Sequence, residues 1–252
     1  DNWPTVKMSE PIWETPDDIV VPHDFLTHPD TACVLDAIHR LKMEYGNDVA
    51  IIGKTMGPWS LAYHCFGVEK FLLLSLDDPD ETKLILDRLK EATIAFGIAQ
   101  VEAGADALTL PDHATGDLVS GDYYRRYLRD LHIEFAERIP IPLILHICGK
   151  TIDRMGYITE TGFAAFHYDS KNDPVESMEV VGDRIALVGN INNPETLFAR
   201  GPEEVQSEVR KNLDAGIKLI GPECAIPLQT PIENLRAIPN EVSNWAKSKI
   251  TA

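Results

Sequence analysis

Hydrophobic positions along this chain alternate between short continuous runs and longer stretches with helical spacing. From Pro29 to Tyr45 the apolar residues Val34, Ile38 and Leu41 share one helical face, and Val49-Ala50-Ile51-Ile52-Gly53 follows as a run suited to a buried strand. A long helical stretch from about Pro79 to Glu102 has Asp80 and Glu81 in its first turn and closes at Ala103-Gly104. Ala107–Leu110 is the next predicted strand and opens into Pro111-Asp112-His113, ahead of a helix from Gly121 to Arg138. Pro142–His146 predicts a third strand, followed by a helix over 151–160, a strand over 163–168, a short helix near 175–181 and a strand over 185–189. A helix over 202–215 feeds the strand Ile217–Ile220. Thr230-Pro231-Ile232-Glu233 then starts a last amphipathic helix, which Pro239 is expected to end or bend.

Six strands, each separated by helical sequence, argue for parallel β/α architecture over a sandwich or a helix bundle. Periodicity leaves a doubly wound sheet and a (β/α)₈ barrel both open. No Gly-rich nucleotide fingerprint follows any of the strands, which disfavours the doubly wound alternative. Polar and metal-capable residues stand just after successive strands: Asp112, His146 with Cys148, His167 with Asp169, Asn190 with Asn192, and Cys224. In a barrel these places converge on one rim, where that scaffold carries its active site.

His146 and Cys148 stand two apart, so on a strand they point to the same side. Cys224 comes 76 positions after Cys148. Two thiolates and an imidazole make a soft donor set suited to zinc, with a fourth position left for an exchangeable ligand. The bland alternative is a set of buried structural side chains, since free cysteine is among the most buried residue types. Asp169 alone reads as a turn or capping aspartate, Tyr168 as core, and His167 as a side chain packed under the rim. Cys33 and Cys65 lie in or beside helical sequence and read as filler.

Bulk properties narrow the function classes. With 23 basic against 40 acidic side chains the formal charge is -17, and no basic patch offers a nucleic-acid backbone a landing site. Apolar residues make up 44 % of 252, enough for a sizeable core. Four cysteines in a chain of this size need no disulfide framework, and no apolar run reaches membrane-span length, so a reducing cytoplasm is the expected setting.

Several segments, in order, resemble the uroporphyrinogen decarboxylase superfamily and, within it, the methylcobalamin:coenzyme M methyltransferases. They are Gly57-Pro58-Trp59-Ser60-Leu61-Ala62 with Gly67; Pro111-Asp112 with Thr115-Gly116; and Leu145-His146-Ile147-Cys148-Gly149. Val188-Gly189-Asn190-Ile191-Asn192-Asn193-Pro194, and Gly221-Pro222-Glu223-Cys224 with Thr230–Leu235, complete the set. The resemblance runs from about residue 30 to 250, and the His-x-Cys with the late Cys is its specific part. It implies a (β/α)₈ TIM-type barrel and zinc held by His146, Cys148 and Cys224, with Asp169 as an acidic ligand beyond the fifth barrel strand. Asp112, Asn190 and Asn192 are then expected to line the substrate cavity. The implied reaction moves a methyl group from methylcobalamin, carried by a partner corrinoid protein, to the thiol of coenzyme M. Family members have a helical N-terminal portion and two further strands before the region where this chain starts. Residues 1–28 are therefore expected to be an irregular lead-in and residues 29–252 a barrel domain, the C-terminal portion of a longer fold whose open strand edges favour self-association. The competing readings are a porphyrinogen decarboxylase and a truncated, non-catalytic module that binds a corrinoid protein.

Overall fold

The computed structural model describes residues 11–250. In chain order its elements are α1 (Pro29–Tyr45), β1 (Ile52–Lys54), α2 (Pro58–Phe66), α3 (Val68–Asp77), α4 (Pro79–Ala103), β2 (Ala107–Pro111), α5 (Gly121–Tyr127) and α6 (Arg129–Arg138). They continue as β3 (Leu143–Ile147), α7 (Ile152–Ile158), β4 (Ala165–Tyr168), α8 (Pro174–Val181), β5 (Ala186–Ile191), α9 (Pro202–Asp214), β6 (Leu219–Pro222) and α10 (Ile232–Ile250). The strands follow one another in sheet order from β1 to β6. β1 with β2, β4 with β5, and β5 with β6 pair in parallel. Parallel strands in sequential order, with helices between them, are the arrangement of a (β/α) barrel scaffold. Within the expected lead-in, the described residues before α1 include a short 3₁₀ turn, Pro16–Asp18.

The chain divides into two compact units. The first comprises the residues up to Ala114 together with Arg126–Ile144; the second comprises Thr115–Arg125 together with the chain from Leu145 onward. In the first unit α4 packs against α1, α2 and α3. Trp59, fully buried, meets Phe71 at 5.0 Å, Tyr63 at 5.8 Å and Tyr127 at 5.7 Å between ring centroids. Gln100 on α4 satisfies the backbone of Lys54 on β1, accepting from its N–H at 2.9 Å and donating to its carbonyl at 3.0 Å. In the second unit a core of Ile191, Leu197, Val205, Val209, Leu213, Ala237 and Ile238 joins β5 to α9 and α10.

Several expectations are corrected. Only Ile38 of the predicted α1 face is buried, while Val34 and Leu41 are exposed. The first strand is shorter and shifted to 52–54, and the helix expected over 121–138 breaks at Leu128. Helices α2 and α3 were not predicted. Most of α2 is buried, Pro58, Trp59, Ser60, Ala62, Tyr63 and Phe66 among it, so no polar face marks its period. Pro239 neither ends nor replaces α10, which runs through it. The lost backbone bond is offset by Ala237 and Ile238, which pin the helix to α9 from the residues just before the proline. No helix of the described residues is long and apolar enough to cross a membrane.

Candidate metal centre

The centre lies in the second unit, where each donor stands at or just past the C-terminal end of a parallel strand. His146 is the penultimate residue of β3, and its ring is buried. Its Nδ1 lies 3.1 Å from the carbonyl oxygen of His167 on β4. A carbonyl only accepts, so Nδ1 carries a proton and Nε2 is the nitrogen that faces the sulfurs. Nε2 is 3.1 Å from Cys148 Sγ, and that sulfur is 3.1 Å from Cys224 Sγ. The three donor atoms all lie within 4.8 Å of one another. Tetrahedral ligands at about 2.0–2.3 Å from zinc stand roughly 3.3–3.8 Å from one another, close to the 3.1 Å separations found here. The half-buried sulfurs share protons unequally. Hydrogen bonds from Cys148 and then His146 draw the Cys224 thiol well below its ordinary value, while donating to Cys224, together with burial, pushes Cys148 far up. Two sulfurs and a nitrogen that compete this closely for protons suit a cation of soft character.

The loops that present these atoms are tied to one another. Gly149, directly after Cys148, has φ +78° and donates its N–H to Asp169 Oδ2 at 2.8 Å. The other oxygen of Asp169 accepts from Lys171 N at 2.9 Å. Asp169 therefore stands beside the trio with its carboxylate turned onto two backbone amides, and it is not one of the gathered donor atoms. Asn172 accepts from the N–H groups of Thr151 and Ile152 and donates to the carbonyls of Gly149 and Asp169. On the other side, Glu223 is buried next to Cys224 and accepts from Ser170 N at 3.0 Å and Asn193 N at 2.8 Å. Asn193 Nδ2 in turn donates to the carbonyl of Ala225.

Asn190 and Asn192 lie at the end of β5 in the same unit. Asn190 donates to the carbonyls of Asn172 and Asp169. Asn192 donates to Ser170 Oγ and accepts from Glu195 N. Together they line a polar cavity of about 210 Å³ with Ser170, Glu208 and Lys211, in which none of the three donors takes part. Asp112 belongs to the first unit. Fully buried, it accepts from Ser60 N at 2.8 Å and holds His132 Nε2 at 3.1 Å, so neither oxygen is open to a substrate.

Sequence reasoning missed three residues that shape the centre. The sequence reading gave Asn172 and Glu223 no role of their own, and their burial marks them. His167 had been placed under the rim without a role. Its ring stacks on that of His146 at 4.4 Å between centroids, and burial, then His146, lowers its pKa to about 4.

The uroporphyrinogen decarboxylase (URO-D) family pattern matches residues 4–245. The chain belongs to this family. Among family relatives, the methylcobamide:CoM methyltransferase MtaA of Methanosarcina barkeri is 35% identical over 237 residues, 93% of this chain and 70% of the relative. A methylated-thiol--coenzyme M methyltransferase of Methanosarcina mazei is 30% identical over 232 residues, 91% of this chain and 63% of the relative. The solved structure of a methyltransferase from Methanosarcina mazei superposes with a TM-score of 0.89 at 31% identity, covering 94% of this chain and 71% of that one. This fold agrees with the barrel that the resemblance implied.

Proposed function

We propose that this chain is a zinc-dependent methyltransferase that moves a methyl group from a methylated corrinoid protein to the thiol of coenzyme M. The observation that carries the reading is the gathering of His146 Nε2, Cys148 Sγ and Cys224 Sγ at the C-terminal ends of β3 and β6. The relatives named for transfer to coenzyme M support it. His146, Cys148 and Cys224 would hold the ion, and Asp169, beside them, would offer a fourth, displaceable oxygen. Zinc, when bound, supplies a Lewis acid that lowers the pKa of an incoming thiol, and its thiolate ligands leave that sulfur nucleophilic.

The chain's own residues do the positioning. His146 is held by its Nδ1–H on the His167 carbonyl, so its Nε2 stays aimed at the site. The Asp169–Gly149 bond fixes the turn that presents Cys148, and Glu223 fixes the loop that presents Cys224. Asn190 and Asn192 brace the loops after β4 and β5; Asp112 serves by holding the first turn of α2. In the transfer, sulfur forms a bond to the methyl carbon as the Co–C bond breaks. The electron pair of that bond stays on cobalt, and the thiol proton leaves to solvent. Methylcobalamin is carried by the partner protein, and four free cysteines suit a reducing cytoplasm.

Elemental analysis of the purified chain is expected to find about one zinc, lost in Cys148→Ser and in Cys224→Ser. X-ray absorption at the zinc edge is expected to gain one sulfur neighbour at saturating coenzyme M. An unchanged shell in folded protein that binds the thiol would leave zinc as a structural ion and overturn thiol activation.

A further inference from the structure

Two ligands of the proposed centre come from places far apart in the chain, His146 on β3 and Cys224 after β6. One side chain touches both arms. His167, on β4, lays its ring against the His146 ring at 4.4 Å between centroids, with the planes 35° apart. Its Nε2 lies 2.7 Å from the carbonyl oxygen of Pro222, two residues before Cys224. That carbonyl can only accept, so Nε2 carries a proton and donates it. The main chain of His167 adds a third tie, since its own carbonyl receives Nδ1–H of His146. We infer that His167 is a positioning residue that sets the distance between the His146 and Cys224 arms before any metal arrives. The inference rests on the metal reading of the trio and deepens it.

A histidine that merely packed would need neither bond. Any ring of similar size would serve, and replacing it would cost stability without changing the ligand field. The tie to Pro222 makes a different demand, because a donor must reach across from β4 to the loop after β6. His167→Phe keeps the ring and removes the donor, whereas His167→Gln removes the ring and keeps an N–H of similar reach.

The test uses the full chain, with zinc affinity measured by competition against a chromogenic chelator and the ligand field read from the visible spectrum after Co²⁺ loading. His167→Phe is expected to bind zinc about 10- to 100-fold more weakly, the loss typical of an outer partner of a metal ligand, with altered Co²⁺ bands. His167→Gln is expected to regain most of the affinity. Wild-type affinity and spectrum in a folded His167→Phe protein, or equal losses in both variants, would reduce His167 to packing and overturn the inference while leaving the zinc reading intact. Wild-type chain that takes up no zinc would overturn both. Should the variants fail to fold, nitrogen-15 NMR of the wild-type histidines decides: a protonated Nε2 on His167, slow to exchange, is the expected state, and a protonated Nδ1 there would overturn it.

Discussion

Asp169 illustrates how one carboxylate can steady the loop that bears a proposed metal ligand without being gathered with the donor atoms. Its two oxygens serve two backbone amides, those of Gly149 and Lys171. Asp169→Asn leaves only one acceptor oxygen, so one amide loses its partner. The variant is expected to keep zinc with about 10- to 100-fold weaker affinity and to retain part of the transfer rate, whereas Cys148→Ser and Cys224→Ser abolish both. Chelator competition alongside a coenzyme M methylation assay checks the contrast; equal losses in all three would make Asp169 as essential as the sulfurs. Glu223 follows the same logic on the other arm. Buried and accepting from two amides, it loses one acceptor in Glu223→Gln, at a cost of about 1–3 kcal/mol in urea unfolding. The His-x-Cys pair and the late cysteine were legible as residue types. The amide bonds of Asp169 and Glu223 were not, because a carboxylate's partner is set by which loops the fold brings beside it.

At the scale of elements, the turn after β3 has little freedom. Gly149 adopts φ +78°, and a Cβ there would stand 2.2 Å from Thr115 Oγ1 and 2.7 Å from Asp117 Oδ2. Gly116 is equally confined, since a Cβ would lie 2.4 Å from the carbonyl of Lys150, to which its own N–H is bonded. The segment that supplies Thr115 and Asp117 is held by α7: Asp153 accepts from Gly121 N, and the fully buried Arg154 donates to the carbonyl of Val119. Gly149→Ala therefore meets both a left-handed backbone and an occupied space. It is expected to displace Cys148, lower the melting temperature and reduce zinc content well below one per chain, as measured by calorimetry and elemental analysis. Wild-type zinc content in folded Gly149→Ala would show that the turn has room to spare. The sequence marked helices such as α1 and α9 to within a residue at either end, where caps and period agree. It missed α2, whose burial on nearly all sides erases the period.

Across the molecule, each unit carries its own core. In the first, Asp112 and His132 form a pair with no exposed surface. Removing the carboxylate in Asp112→Ala leaves His132 and the amide of Ser60 without it and is expected to cost about 3–5 kcal/mol in denaturant unfolding. A loss below about 1 kcal/mol would mean that the pair is dispensable and would reopen Asp112 to a role at the substrate. What the sequence by itself determined is the order of the six strands and the presence of two thiols and an imidazole at or near strand ends. Both follow from local rules: side-chain period decides the element, and chain position decides what stands at its end. Only the tertiary structure decided which polar residues share a place. Asp112 and Asn192 directly follow their strands and Asn190 is the penultimate residue of β5, yet Asp112 is consumed by His132 while the asparagines brace loops of the other unit. Likewise, the meeting of His146 with Cys224, and of His167 with both arms, depends on strand pairing across β4, β5 and β6. Contacts between residues tens of positions apart are fixed by that pairing register and by burial, and neither leaves a mark in the local pattern of the chain.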